Sequence, residues 1–131
     1  MEHRGGCFCN AVRYKVSGKP RSVTNCHCAD CRRVSGAPFV TWATFDADKF
    51  QIVKGDPTRL ASSARAARAF CGACGTPLTF QAHETPHEID VTVGSMDHPN
   101  NFPPDDHTWT SSQVSWLRLG DDLPRHPRHR A

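Results

Sequence analysis

The seven cysteines constrain this chain more than any other feature, because they fall into three local groups. These are Cys7-Phe8-Cys9, Cys26-His27-Cys28-Ala29-Asp30-Cys31 and Cys71-Gly72-Ala73-Cys74-Gly75. An odd number argues against a fully paired disulfide framework. In a reducing compartment, grouped cysteines are read first as metal ligands or reactive thiols. Two residues between Cys71 and Cys74 let both sulfurs reach one ion, and the glycines beside them let the backbone turn tightly around it. A lone pair binds weakly, so two more ligands are needed. Cys7 with Cys9, or Cys26 with Cys28, can supply them, since residues i and i+2 of an extended segment point the same way. Spacing alone leaves both divisions open. The preferred one joins Cys7 and Cys9 to Cys71 and Cys74, because it leaves the triad Cys26, Cys28 and Cys31 intact. Its rival leaves Cys31 alone and gives Cys7 and Cys9 no second site. Zinc held by four cysteines is closed and structural, whereas zinc with three protein ligands keeps an exchangeable position.

A chain of 131 residues is most simply one domain, expected here over 1–124 as a zinc-binding β domain. Its apolar share is 37%, with ten prolines and nine glycines, a turn-rich composition whose core gains from metal staples. The formal charge of +3 is cancelled if seven thiolates bind two zinc ions. It is therefore poor evidence for nucleic acid, whose recognition needs a concentrated basic face. The arginines are scattered except for Arg125, Arg128 and Arg130, which mark 125–131 as a basic tail expected to be mobile. No apolar segment of signal-peptide type opens the chain, and no later run approaches the ~20 apolar residues that span a bilayer. The expectation is a cytoplasmic protein with no membrane partner.

Strand signals dominate. Val12, Tyr14 and Val16 alternate with polar residues over Ala11–Val16, and Ser17-Gly18-Lys19-Pro20 turns the chain back through Val23 to the triad. Ala29–Ser35 offers one or two helical turns, ended by Gly36. Phe39–Phe45, Phe50–Lys54, Thr58–Ser62, Leu78–Phe80 and His87–Val93 read as further strands. Ser63–Ala69 has a helical composition but lies among strands, and position decides for strand or loop. Asp97–Asp106 reads as irregular. His27 points away from a metal held by Cys26 and Cys28, as a histidine bonded to backbone. His83, His87, His98 and His107 read as surface or turn residues, and at least two of Trp42, Trp109 and Trp116 as core.

The order of motifs resembles the glutathione-dependent formaldehyde-activating enzyme family, which also includes centromere protein V. The matching residues are Gly6-Cys7-Phe8-Cys9, Tyr14, Cys26-His27-Cys28-Ala29-Asp30-Cys31-Arg32, Gly36, Phe50 with Gly55, Ser62-Ser63, Phe70-Cys71-Gly72-Ala73-Cys74-Gly75, Gly94-Ser95-Met96-Asp97-His98-Pro99, His107-Thr108-Trp109, Trp116 and Asp122-Leu123-Pro124. Asn10 stands where the family usually has glycine, a change that removes no ligand. The resemblance implies a mainly β, β-tent fold with little helix. Its antiparallel sheets are stapled by a structural zinc on Cys7, Cys9, Cys71 and Cys74, and a second zinc sits on Cys26, Cys28 and Cys31. It also implies a carbon-sulfur lyase activity that joins formaldehyde and glutathione.

Three thiolates make zinc a weak Lewis acid but leave a position suited to an incoming sulfur. A thiol bound there, such as glutathione, stays deprotonated and able to attack a carbonyl carbon. On this reading Cys26, Cys28 and Cys31 orient the nucleophile, His107 shuttles the proton, and Arg32 attracts a glycyl or glutamyl carboxylate. The alternative class is a non-catalytic zinc module that binds a protein, its triad closed by a histidine.

Overall fold

The computed structural model describes residues 1–130. Strands β1 (Glu2–Gly6), β2 (Arg13–Ser17), β3 (Ser22–Cys26), β4 (Val40–Asp46), β5 (Phe50–Lys54), β6 (Thr58–Ser63), β7 (Ala66–Phe70), β8 (Pro77–Ala82), β9 (Glu88–Thr92) and β10 (Asp106–Thr108) make two sheets. The smaller has the order β1-β2-β5, and the larger β10-β3-β4-β9-β8-β7-β6. Pairing is antiparallel throughout, except that β10 runs parallel to β3. Among the described residues the one α-helix is α1 (Ala29–Ser35), and 3-10 turns supply the remaining helix. The fold is thus mainly β, as the alternation along the chain predicts.

The main core lies between the sheets, and the two-residue period explains it. Val12, Tyr14 and Val16 come from the β2 side of the small sheet, with Phe50 and Ile52 of β5 packed against them. Val23, Ala43, Phe45, Ile89 and Val91 face them from the large sheet. A second apolar cluster of Cys26, Cys31, Val40 and Trp42, with Cys28 and Phe80 against it, is separate from this core. The sheet therefore has two apolar faces, and the triad belongs to the second.

Several expectations are corrected. Ser63–Ala69 is not among them: it forms the end of β6, a turn at Ala64 and Arg65, and β7, the strand-or-loop reading that its position predicts. Of the three tryptophans only Trp42 is core, at 5% exposure, while Trp109 is 36% and Trp116 68% exposed. Neither β1 nor β10 carries an apolar alternation of its own. Each exists because a neighbour offers an unpaired edge, β2 for β1 and β3 for β10.

Residues 125–130 of the basic segment make contacts with the β domain; residue 131 lies outside the described residues. Arg125 bridges His107 in parallel, and the Trp109 N–H donates to the Arg128 carbonyl at 3.0 Å. Arg130 donates twice to Asp106, at 2.6 and 2.8 Å. Burial opposes ionisation of Asp106, but hydrogen bonds from Arg130 and Thr24, with the charges of Arg130 and His126, outweigh it and hold the carboxyl below its ordinary value. A depressed carboxyl stabilises the fold above the unfolded pKa of about 3.9, and that contribution fades as pH falls through the folded value. Arg130→Gln is expected to cost about 1–2 kcal/mol at pH 7, because it leaves a buried carboxylate short of a partner. The difference from the parent should shrink as pH falls below about 3.9 and vanish once the folded carboxyl is protonated. Urea midpoints across this range check it, and a penalty independent of pH would refute the ion-pair account.

Candidate functional site

Cys7 and Cys9 follow β1 of the small sheet, and Cys71 and Cys74 lie between β7 and β8 of the large one. The four sulfurs lie within 4.8 Å of one another, so the group joins the two sheets. Cys9 Sγ is 3.7 Å from both Cys7 Sγ and Cys71 Sγ. Sulfurs about 2.3 Å from one tetrahedral zinc stand about 3.8 Å apart, so the spacing fits that ion. Both turns close tightly on themselves. The Asn10 N–H donates to the Cys7 carbonyl at 3.1 Å and the Gly75 N–H to the Cys71 carbonyl at 2.7 Å. Asn10 has φ +67° and Gly75 φ +85°. Asparagine is among the few residues that visit the left-handed region readily, which explains why it can stand for glycine here.

Cys26 ends β3, Cys28 is the N-cap of α1, and Cys31 lies in its first turn. Cys28 Sγ accepts from the Cys31 N–H at 3.3 Å, and Gly36 closes the helix in the left-handed conformation, with φ +68°. A strand end followed by a capped helical turn folds the three sulfurs back to within 4.8 Å of one another. Among the described residues no histidine, aspartate or glutamate donor joins them within that radius. Hydrogen bonds from the Cys26 and Cys31 thiols and from the Cys31 and Asp30 N–H groups pull Cys28 far down. Cys26 is pushed up to about 11, chiefly by Cys28. Three thiols crowded together share one negative charge, and only a cation lets all three ionise. That donor set suits zinc. The Trp42 indole N–H donates to Cys31 Sγ at 3.4 Å and so fixes the sulfur from behind.

The histidines differ most from expectation. His83, His87 and His98 are exposed, but His27 and His107 are fully buried. His27 bonds not to backbone but to a second ring, its Nε2 lying 3.0 Å from His107 Nδ1. His107 Nε2 lies 3.0 Å from an Asp121 oxygen. The Asp121 carboxylate accepts from His107 Nε2–H, leaving Nδ1 to accept from His27 Nε2–H. Neutral His27 then presents Nδ1 as a bare acceptor, and that atom is buried without a partner. Burial, followed by the charges of His107 and Arg125, lowers the His27 pKa to about 4, so the ring is neutral at pH 7. Neither His27 nor Asp121 is marked by spacing in the sequence.

Arg32, one position beyond Cys31, is half-buried and its Nε has no partner. A cavity of about 280 Å³ opens between Phe50 and Ile52 of the small sheet and Leu78 and Ile89 of the large one; Arg59 and Arg68 also line it, and no cysteine does. No helix among the described residues is long and apolar enough to cross a membrane.

A family model described as glutathione-dependent formaldehyde-activating enzyme matches residues 2–112. An uncharacterized lyase of Schizosaccharomyces pombe is 32% identical over 80 residues, which are 60% of this chain and 57% of that relative. A Halomonas elongata protein named for glutathione-dependent formaldehyde activation is 23% identical over 124 residues, 88% of this chain and 79% of its own. Among solved structures, a Rhodobacter sphaeroides protein superposes with a TM-score of 0.61 at 24% identity, over 93% of this chain and 98% of that one. That likeness speaks for the fold.

Proposed function

The chain belongs to the glutathione-dependent formaldehyde-activating enzyme family, and from that premise we propose that it is a zinc-dependent carbon-sulfur lyase. Its substrates are a thiol such as glutathione and formaldehyde or a similar small aldehyde. The observation that carries the proposal is the triad of Cys26, Cys28 and Cys31, three gathered sulfurs with no fourth donor among the described residues. A purely structural centre, as in a protein-binding zinc module, needs that fourth ligand.

Cys7, Cys9, Cys71 and Cys74 would hold one zinc as a staple, and Cys26, Cys28 and Cys31 the second. Bound at the triad, zinc would favour the thiolate form of an incoming thiol. The reaction itself moves one proton: the sulfur pair forms the C–S bond, the carbonyl π pair passes to oxygen, and oxygen takes the proton that the thiol lost. Trp42 keeps Cys31 oriented by its N–H. His107 serves proton transfer through His27, since Asp121 and His27 occupy both of its own nitrogens. Arg32, the residue after Cys31, meets a carboxylate of the thiol; its Nε, which has no partner, supports that role.

The test is exchange NMR of formaldehyde and glutathione with zinc-loaded protein. Adduct formation and breakdown are expected to run at least about 100-fold above the spontaneous rate at micromolar protein, the scale that general acid-base assistance alone supplies. No acceleration refutes the formaldehyde assignment. Zinc per chain should be two.

A further inference from the structure

Among the described residues, three buried side-chain polar atoms have no hydrogen-bond partner: His27 Nδ1, Arg32 Nε and an Nη of Arg68. Two of them belong to residues adjacent to triad cysteines. The third is 37 positions away from Cys31 in sequence, yet a continuous row of side chains leads to it. Cys26 pairs with Val40 across β3 and β4, and Val40, Trp42 and Thr44 share that face of β4. Thr44 pairs with Asp90, Asp90 with Phe80, and Phe80 with Arg68. Residues directly paired across strands lie on one face, so Arg68 and the triad are on the same side of the large sheet.

Contacts along this row are close. Trp42 donates to Cys31 Sγ, the Trp42 and Phe80 ring centroids are 6.2 Å apart, and the Arg68 guanidinium lies 4.7 Å above the Phe80 ring. Cation–π attraction holds the guanidinium against the ring and uses none of its N–H groups as a conventional donor. Arg68 makes no ion pair within 4 Å among the described residues. Asp90, the acid that faces it from β9, is engaged by the Thr44 hydroxyl at 2.6 Å, and burial pushes its pKa up to about 6. A buried guanidinium N–H without an acceptor costs free energy until one arrives.

We propose that Arg68 binds a carboxylate of the thiol whose sulfur enters the triad, making the face over Phe80 a subsite for a peptide-like, carboxylate-bearing thiol. Arg68 on β7 lies three strand spacings from Trp42 on β4, so guanidinium and Cys31 sulfur stand on the order of 10–15 Å apart. That is the span of about three to four extended residues, and it excludes a small aminothiol from reaching both points. The proposal rests on the thiol reading of the triad.

Calorimetric titration of zinc-loaded protein with glutathione and with cysteamine, which has no carboxylate, tests it. Loss of a charge-assisted pair is expected to weaken glutathione about 10- to 100-fold in Arg68→Gln. Cysteamine should change less than about two-fold, and Arg68→Lys should fall between parent and glutamine variant. Equal weakening of both thiols in Arg68→Gln and Arg68→Lys would show a structural role and overturn the subsite. Unchanged glutathione affinity overturns it as well, while leaving the thiol site standing. Parent protein that binds neither thiol overturns the thiol reading, and the subsite with it.

Discussion

Cys71→Ser is expected to leave the chain largely unfolded. Cys71 is 1% exposed and belongs at once to the main apolar core and to the four-sulfur group. That group joins the turn after β1 to the turn after β7, so it ties the two sheets whose facing sides make the core. Structural zinc contributes about 10–16 kcal/mol in small zinc peptides, as much as the whole stability of a typical domain, about 5–15 kcal/mol. Serine binds zinc far less well than a thiolate, and it places a hydroxyl in apolar surroundings without a partner. Both effects act in the same direction. Zinc per chain, the near-ultraviolet circular dichroism and the emission of buried Trp42 report the loss. A Cys71→Ser protein that keeps two zinc ions and a parent-like melting temperature would refute the staple.

Cys28→Ser is expected to give the opposite division of effects, with activity lost and the fold kept. Cys28 is half-buried, and the triad packs on the second face of the large sheet rather than between the sheets. Its sulfur caps α1. Serine is among the best N-cap residues, so the helix keeps its first turn. What serine does not keep is a soft ligand, and two sulfurs are too few to hold zinc firmly. The metal count should fall from two to one while the urea midpoint stays close to the parent value. A metal centre contributes several kcal/mol to its reaction, and at 1.36 kcal/mol per decade the rate should fall about 10³-fold or more. Full activity in Cys28→Ser would move the chemistry away from the triad. Unfolding would make the triad a second staple instead, and the closed-module reading would gain.

These two variants also separate what was legible in the chain from what was not. Local signals carried a good deal. The alternation of Val12, Tyr14 and Val16 predicts β2 and the face that it buries, and Gly36 marks the end of α1 in the left-handed conformation that only glycine adopts freely. Cys71-Gly72-Ala73-Cys74 announces a metal turn because two intervening residues suffice for both sulfurs to meet one ion. Which pair completes it was open in spacing, and the structure groups Cys7 and Cys9 there.

By itself, then, the sequence determined the mainly β class, the turn chemistry and the three local groups of sulfur. These depend on residues only a few positions apart, whose relative placement the backbone geometry dictates. Only the tertiary structure decided the rest. It brought β10 beside β3 across some 80 residues, buried His107 against His27 and Asp121, fastened the basic end to Asp106, and laid Arg68 over Phe80 on the face of the triad. A periodic pattern records which side of an element must be dry, but not which element will cover it. Contacts between distant segments are chosen by the packing of the whole chain, where a polar residue that reads as surface is buried once a partner satisfies its hydrogen bonds.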